Sequence, residues 1–179
     1  MTRASRRTAP ALRATIDIDI QDKQWLTHLR TARALCRRAA LAALVGVPPR
    51  LPTDVAMAIA LASDAAVRVL NRDFRGKDKP TNVLSFPADA RATAPGAPHF
   101  LGDIVLARQT VAREAQTQGK RLADHLTHLV IHGTLHLLGY DHEVDAEAVR
   151  MERLEVRILA GLGVRDPYAW SADKISNDR

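Results

Sequence analysis

Three histidines within eleven residues carry the clearest chemistry in the chain: residues 132–142 read His-Gly-Thr-Leu-His-Leu-Leu-Gly-Tyr-Asp-His. His132 and His136 are four apart, so a helix stacks them one turn above each other and can present two nitrogens to one ion. Gly139 follows the last apolar turn. A left-handed residue there closes the helix and swings Tyr140, Asp141 and His142 back toward the same face. His142 is thereby the third candidate ligand. Three neutral imidazoles leave a tetrahedral zinc one position for water, the coordination of a catalytic rather than a structural site. Nickel and other transition metals also accept imidazole, so the cofactor implied is one divalent transition ion, with Zn2+ the first choice.

His125, His128, His132 and His136 follow one another by three, four and four, all on one helical stripe. At a rise of 1.5 Å per residue, His128 and His136 stand about 12 Å apart along the axis, too far to share an ion. His142 is therefore preferred to His128, which is left one turn before the site to contact substrate or to bond neighbouring groups. His125 is placed outside the site. The ligand spacing is that of the metzincin signature H-E-x-x-H-x-x-G-x-x-H, with Gly133 where those proteases keep a general-base Glu. Glycine takes no proton, so the geometry can be shared while peptide hydrolysis by that route is disfavoured. Asp141 and Glu143 flank the third ligand as possible bases, turn residues or outer contacts, and no base is assigned.

A second constellation is cationic. Residues 75–81 form a loop in which Gly76 and Pro80 hold Arg75, Lys77 and Lys79. An enzyme acting on phosphodiesters places a guanidinium where negative charge grows in the transition state. Arg75 is the candidate, with Lys77 and Lys79 as substrate contacts; a solvated basic loop is the bland alternative. Formal net charge is +6, and residues 1–50 hold ten Lys/Arg against three Asp/Glu. Such asymmetry suggests a polyanionic partner, most economically nucleic acid. Arg30, Arg33 and Arg37 line one stripe of the first long helix and are further candidates for phosphate contact, or simply its polar face.

The histidine stretch resembles the signature of the YbeY family. Residues 74–87, Phe-Arg-Gly-Lys-Asp-Lys-Pro-Thr-Asn-Val-Leu-Ser-Phe-Pro, resemble that family's other recurrent segment, and Leu101-Gly-Asp-Ile-Val the strand after it. The three occur in family order, and the similarity covers about residues 12–165. The resemblance implies a single-strand-specific bacterial endoribonuclease acting in ribosomal RNA maturation, at the small-subunit rRNA 3′ end, and in ribosome quality control. It implies RNA as substrate, the ribosome or ribosomal proteins as partners, and a functional Arg at position 75, making Arg75 and the ligand His136 the catalytic residues. Ligand geometry alone does not separate phosphodiester from peptide. The alternatives are a metal-dependent peptidase and a non-catalytic ribosome assembly factor with a structural metal.

The elements that must position these groups follow from periodicity. Ile16, Ile18 and Ile20 alternate with Asp17 and Asp19 as in a half-buried strand. A helix is predicted from about Asp22 to Val45, then a strand over Val55 to Ala62 and a helix capped by Ser63 or Asp64. Asn82 to Phe86 resumes extended structure, Ala88 to His99 reads as a long loop containing His99, and Leu101 to Ala107 as a strand opened by Asp103, a cap or outer acceptor. Helices follow over Gln109 to Gln118, Arg121 to Leu138 and Asp145 to Leu159. The acids of the last, Glu147, Glu152 and Glu155, read as a solvated face. The fold class is α+β: a single domain with a small mixed sheet of about four strands, surrounding helices and a central histidine-bearing helix. Residues 1–11 are read as a disordered basic tail, 12–165 as the hydrolase domain and 166–179 as a loose C-terminal tail. The acid-free start looks superficially like a transit peptide, but the bacterial resemblance favours an extension or misassigned start. Cys36 is the only cysteine, which excludes an intrachain disulfide and suggests a reducing, cytoplasmic setting. It is read as buried. No apolar run reaches the ~18 residues of a membrane span.

Overall fold

The computed structural model describes residues 11–47, 51–89, 94, 96–141 and 145–169. The elements run β1 (Arg13–Ile20), α1 (Gln24–His28), α2 (Ala32–Gly46), β2 (Asp54–Ala62), α3 (Asp64–Arg75), β3 (Val83–Pro87), β4 (His99–Ala107), α4 (Arg108–Thr117), α5 (Leu122–Leu137) and α6 (Asp145–Gly161). The four strands form one sheet in the order β1-β2-β4-β3. β1 and β4 flank β2 in parallel, and β3 pairs antiparallel to β4. The sheet is mixed, as predicted.

Alternation along the strands sorts residues to two faces. Ile16, Ile18, Val55, Met57, Ile59, Leu61, Ile104 and Leu106 join the main core with α2, α5 and α6. Ala62, Leu84, Val105 and Ala107 turn the other way and pack with Val67 of α3. Asp17 and Asp19 are exposed on that second face. Asp103 lines the same face beside them and so stands away from the histidines; burial raises its pKa.

The helix predicted from Asp22 to Val45 is two helices, broken over residues 29–31. Trp25 explains the break: fully buried, it donates from Nε1 to the Ala62 carbonyl at 3.0 Å, tying α1 to the end of β2. The small buried face of α2, with Ala32, Cys36, Ala39, Ala40 and Ala43, lets it lie close against α5. Burial pushes the Cys36 thiol up to about 12. Arg33 donates to the Ile18 carbonyl at 2.6 Å and Arg37 to the Ile16 carbonyl at 3.5 Å, so this part of the stripe satisfies the carbonyls of edge strand β1. His99 belongs to β4 rather than to a loop.

Residues 1–10 of the expected basic tail and residues 170–179 of the expected C-terminal tail lie outside the described residues, as do 90–93 and 95 of the predicted long loop. The start of the C-terminal tail is described, and Tyr168 within it is half-buried against the domain.

Candidate metal centre and cleft

α5 is buried almost all round, including Leu126, Val130, Ile131, Gly133, Thr134 and Leu135. It ends as the sequence requires. Gly139 has φ +81°, its N–H donates to the His136 carbonyl at 3.0 Å, and the Tyr140 N–H donates to the Leu135 carbonyl at 3.0 Å. That paired closure is the Schellman arrangement. At Gly133 the helix passes so near the sheet that an added Cβ would stand 3.1 Å from two Ile104 atoms and 3.1 Å from Ser85 Oγ. A side chain at 133 therefore requires Ile104 and Ser85 to give way by a few tenths of an ångström.

The two histidines converge. His132 Nε2 and His136 Nε2 are 3.1 Å apart. Two imidazoles sharing a tetrahedral ion at its usual bond lengths have nitrogens roughly 3.3 Å apart, so this pair fits two ligands of one ion. His142 and Glu143 lie outside the described residues. Asp141 is described and lines the same cleft as the pair.

The cleft, of about 870 Å³, is also lined by Arg75, Lys77 and Lys79. Arg75 is the last residue of α3 and donates to the Ser85 carbonyl at 3.4 Å, while Ser85 Oγ donates to the Gly133 carbonyl at 3.3 Å. Ser85 thus links the guanidinium to the histidine helix. The loop beyond is pinned to α3. Arg68 grips Asp78 with two bonds of 2.7 Å, and the buried Asn71 side chain donates to the Lys79 carbonyl at 2.7 Å. Lys77 and Lys79 are left exposed.

His128 is not among the cleft's lining residues. The helical turn that separates it from His132 points its Nε2 at Glu155 Oε2, 3.0 Å away, a bond to a neighbouring group of the kind the sequence left open beside substrate contact. His125 is likewise internal, with Nε2 2.9 Å from Glu114 Oε2. Glu114 also accepts from Asn82 at 3.0 Å, and although burial works against it, these bonds hold its pKa low.

Glu155 is the residue that sequence reasoning misassigned. Its side chain is fully buried, and its Oε1 lies 2.7 Å from His132 Nδ1. Tyr168 donates its hydroxyl to Oε2. Burial alone would raise the Glu155 pKa, but the bonds from His128 and His132 bring it down to about 2. A carboxylate only accepts, so both rings donate to it, and His132 carries its proton on Nδ1. In the neutral ring Nε2 is then the nitrogen with a lone pair for an ion, and it is the one turned toward His136. His128 Nδ1 is buried and without a hydrogen-bond partner among the described residues.

His128, His132 and Glu155 also bring three ligand-type atoms within 4.8 Å of one another. The 2.7 Å and 3.0 Å separations are hydrogen-bond lengths, which favours Glu155 as a carboxylate that orients a ligand from behind over one that grips the ion.

A family model described as Endoribonuclease YbeY matches residues 18–163. The chain belongs to this family. Among its curated members the chain is similar to an Endoribonuclease YbeY of Paramagnetospirillum magneticum, 53% identical over 157 residues covering 86% of this chain and 94% of that one. It is also similar to one of Dinoroseobacter shibae, 48% identical over 180 residues covering 94% and 97%. The solution structure of TM1509 from Thermotoga maritima has the same fold, with a TM-score of 0.53 at 24% identity over 92% of this chain and 94% of that one. No helix among the described residues is long and apolar enough to cross a membrane.

Proposed function

We propose that this chain is a metal-dependent endoribonuclease that cleaves single-stranded RNA, with His132, His136 and His142 as ligands and Arg75 and His136 as catalytic residues. The observation that carries the reading is the 3.1 Å approach of two imidazole nitrogens in a cleft that also holds four cations, Arg75, Lys77, Lys79 and Arg113. The family's name, that of an endoribonuclease, supports it. The ion is one divalent transition metal, Zn2+ first, and when bound it supplies Lewis acidity toward a phosphoryl oxygen and toward water.

The remaining work belongs to the chain's own groups. Glu155 holds His132 by Nδ1 and keeps Nε2 directed at the ion. Arg75, exposed and bound to one carbonyl, exchanges that bond for a phosphate and stabilises the added negative charge. Lys77 and Lys79 hold flanking phosphates as point charges. Action in ribosomal RNA maturation at the small-subunit 3′ end and in ribosome quality control, ribosomal partners and a cytoplasmic setting complete the proposal, on the strength of the family resemblance. A peptidase is disfavoured because position 133, where metzincins carry the general-base Glu, is a glycine packed close against Ile104 and Ser85 and takes no proton.

The test uses the purified full chain on single-stranded RNA, duplex RNA and an unstructured peptide, with and without chelator. Cleavage of single-stranded RNA alone, abolished by chelator and reduced ten- to a hundredfold or more in Arg75→Ala, is the expected result. RNA cleavage indifferent to chelator, or peptide cleavage, refutes it.

A further inference from the structure

Behind the paired histidines, on the side away from the cleft, α6 and the segment after it build a support that ends on Tyr168. After α6, the Gly163 and Val164 N–H groups close the helix on the Ala160 and Leu159 carbonyls, each at 3.0 Å. The chain then turns back along α5. Lys120 Nζ donates to the Pro167 carbonyl at 2.8 Å, and the Tyr168 N–H donates to Asp166 Oδ1 at 2.8 Å. The Tyr168 ring stands edge-on to His128, with centroids 5.7 Å apart at 81°. Its hydroxyl reaches Glu155 Oε2, the oxygen that also faces His128, while Oε1 faces His132.

Three donors therefore converge on one carboxylate. With the two imidazoles alone, the carboxylate plane can rotate about its terminal bond, a broad and nearly two-fold torsion. Each ring can also exchange tautomers or flip. A phenol O–H facing an ionised carboxylate only donates, so it fixes which oxygen is left for His132.

We propose that Tyr168, acting through Glu155, is a positioning residue for the metal ligand His132, holding its ring in the Nδ1-protonated form with Nε2 directed at the ion. The proposal rests on the metal reading above. It makes residues 164–169 part of the metal centre although none of them lines the cleft.

The test compares full-length wild type, Tyr168→Phe and Glu155→Gln by two readouts other than cleavage. One is the Zn2+ dissociation constant by competition with a chromophoric chelator. The other is the imidazole 1H–15N correlation spectrum of the metal-free proteins, which reports the tautomer of each ring. Wild type is expected to show His132 protonated at Nδ1. Tyr168→Phe, which keeps the ring against His128, should fold with an unchanged circular dichroism spectrum, bind Zn2+ about tenfold more weakly and show His132 as a mixture of tautomers. Glu155→Gln should weaken Zn2+ by about ten- to a hundredfold.

Tyr168→Phe binding Zn2+ within twofold of wild type, with the His132 signals unchanged, overturns the proposal and leaves the metal reading standing. A Tyr168→Phe chain that fails to fold also overturns it, by assigning the hydroxyl to stability. Wild type that takes up no Zn2+ overturns both.

Discussion

Gly133→Ala sets two opposed effects against each other at the point where the histidine helix meets the sheet. In a helix interior the change from glycine gains about 1 kcal/mol of propensity. Against it, the new methyl stands 3.1 Å from Ile104 Cδ1, Ile104 Cγ2 and Ser85 Oγ at once. Ile104 is fully buried on the central strand β4, so it has no open side to retreat to. Such overpacking costs ~1–3 kcal/mol. Displacing Ser85 also stretches its 3.3 Å bond to the Gly133 carbonyl, a bond of the kind worth ~0.5–1.5 kcal/mol. The balance is a net loss of about 1–2 kcal/mol, or about 3–6 °C in Tm for a chain of this size. Urea unfolding followed by circular dichroism reads the free energy, and a thermal scan the Tm. Because Ser85 also accepts from Arg75, RNA cleavage should fall along with stability. A variant more stable than wild type by the propensity gain would show that α5 can lift from the sheet, and the account of why glycine stands where metzincins carry Glu would fail.

His136→Ala should abolish Zn2+ uptake and RNA cleavage while moving the Tm by only a few degrees; retained Zn2+ would shift the ion to the group of His128, His132 and Glu155. In RNA-binding titrations against salt, each phosphate contact contributes about 0.7 to the slope for single strands, so the double change Lys77→Ala and Lys79→Ala should lower it by about 1.4. An unchanged slope would remove both lysines from the RNA path. Acid unfolding tests Glu155, whose folded pKa of about 2 lies below the ordinary 4.5. Its ionised form stabilises the fold fully above about pH 4.5, and that contribution disappears as pH falls toward 2. Glu155→Gln should therefore show a flatter stability profile across that window, and a profile parallel to wild type would contradict the buried hydrogen-bonded carboxylate.

What local rules govern was legible in the chain. The 3.6-residue period placed α5, Gly139 closed it in the left-handed conformation, and a spacing of four brought His132 and His136 together. The alternation of Ile16 and Ile18 with Asp17 and Asp19 put the right residues in the core. Those features depend only on neighbours a turn or two away. Glu155 was misread because a carboxylate on an amphipathic helix has the same sequence signature whether it meets water or two imidazoles. Tyr168 looked like tail because nothing near it in sequence says what it touches. Arg33 and Arg37 read as a polar helix face or a phosphate row, and only the place of β1 at the sheet edge shows that they meet its carbonyls. The histidine helix, its closure at Gly139 and the histidine pair were thus determined by the sequence itself, whereas the break between α1 and α2 was not. The orienting carboxylate, its phenol and the crowding at Gly133 were decided by the tertiary structure, since each is a contact between residues 13 or more apart whose partner is set by packing and not by any local preference.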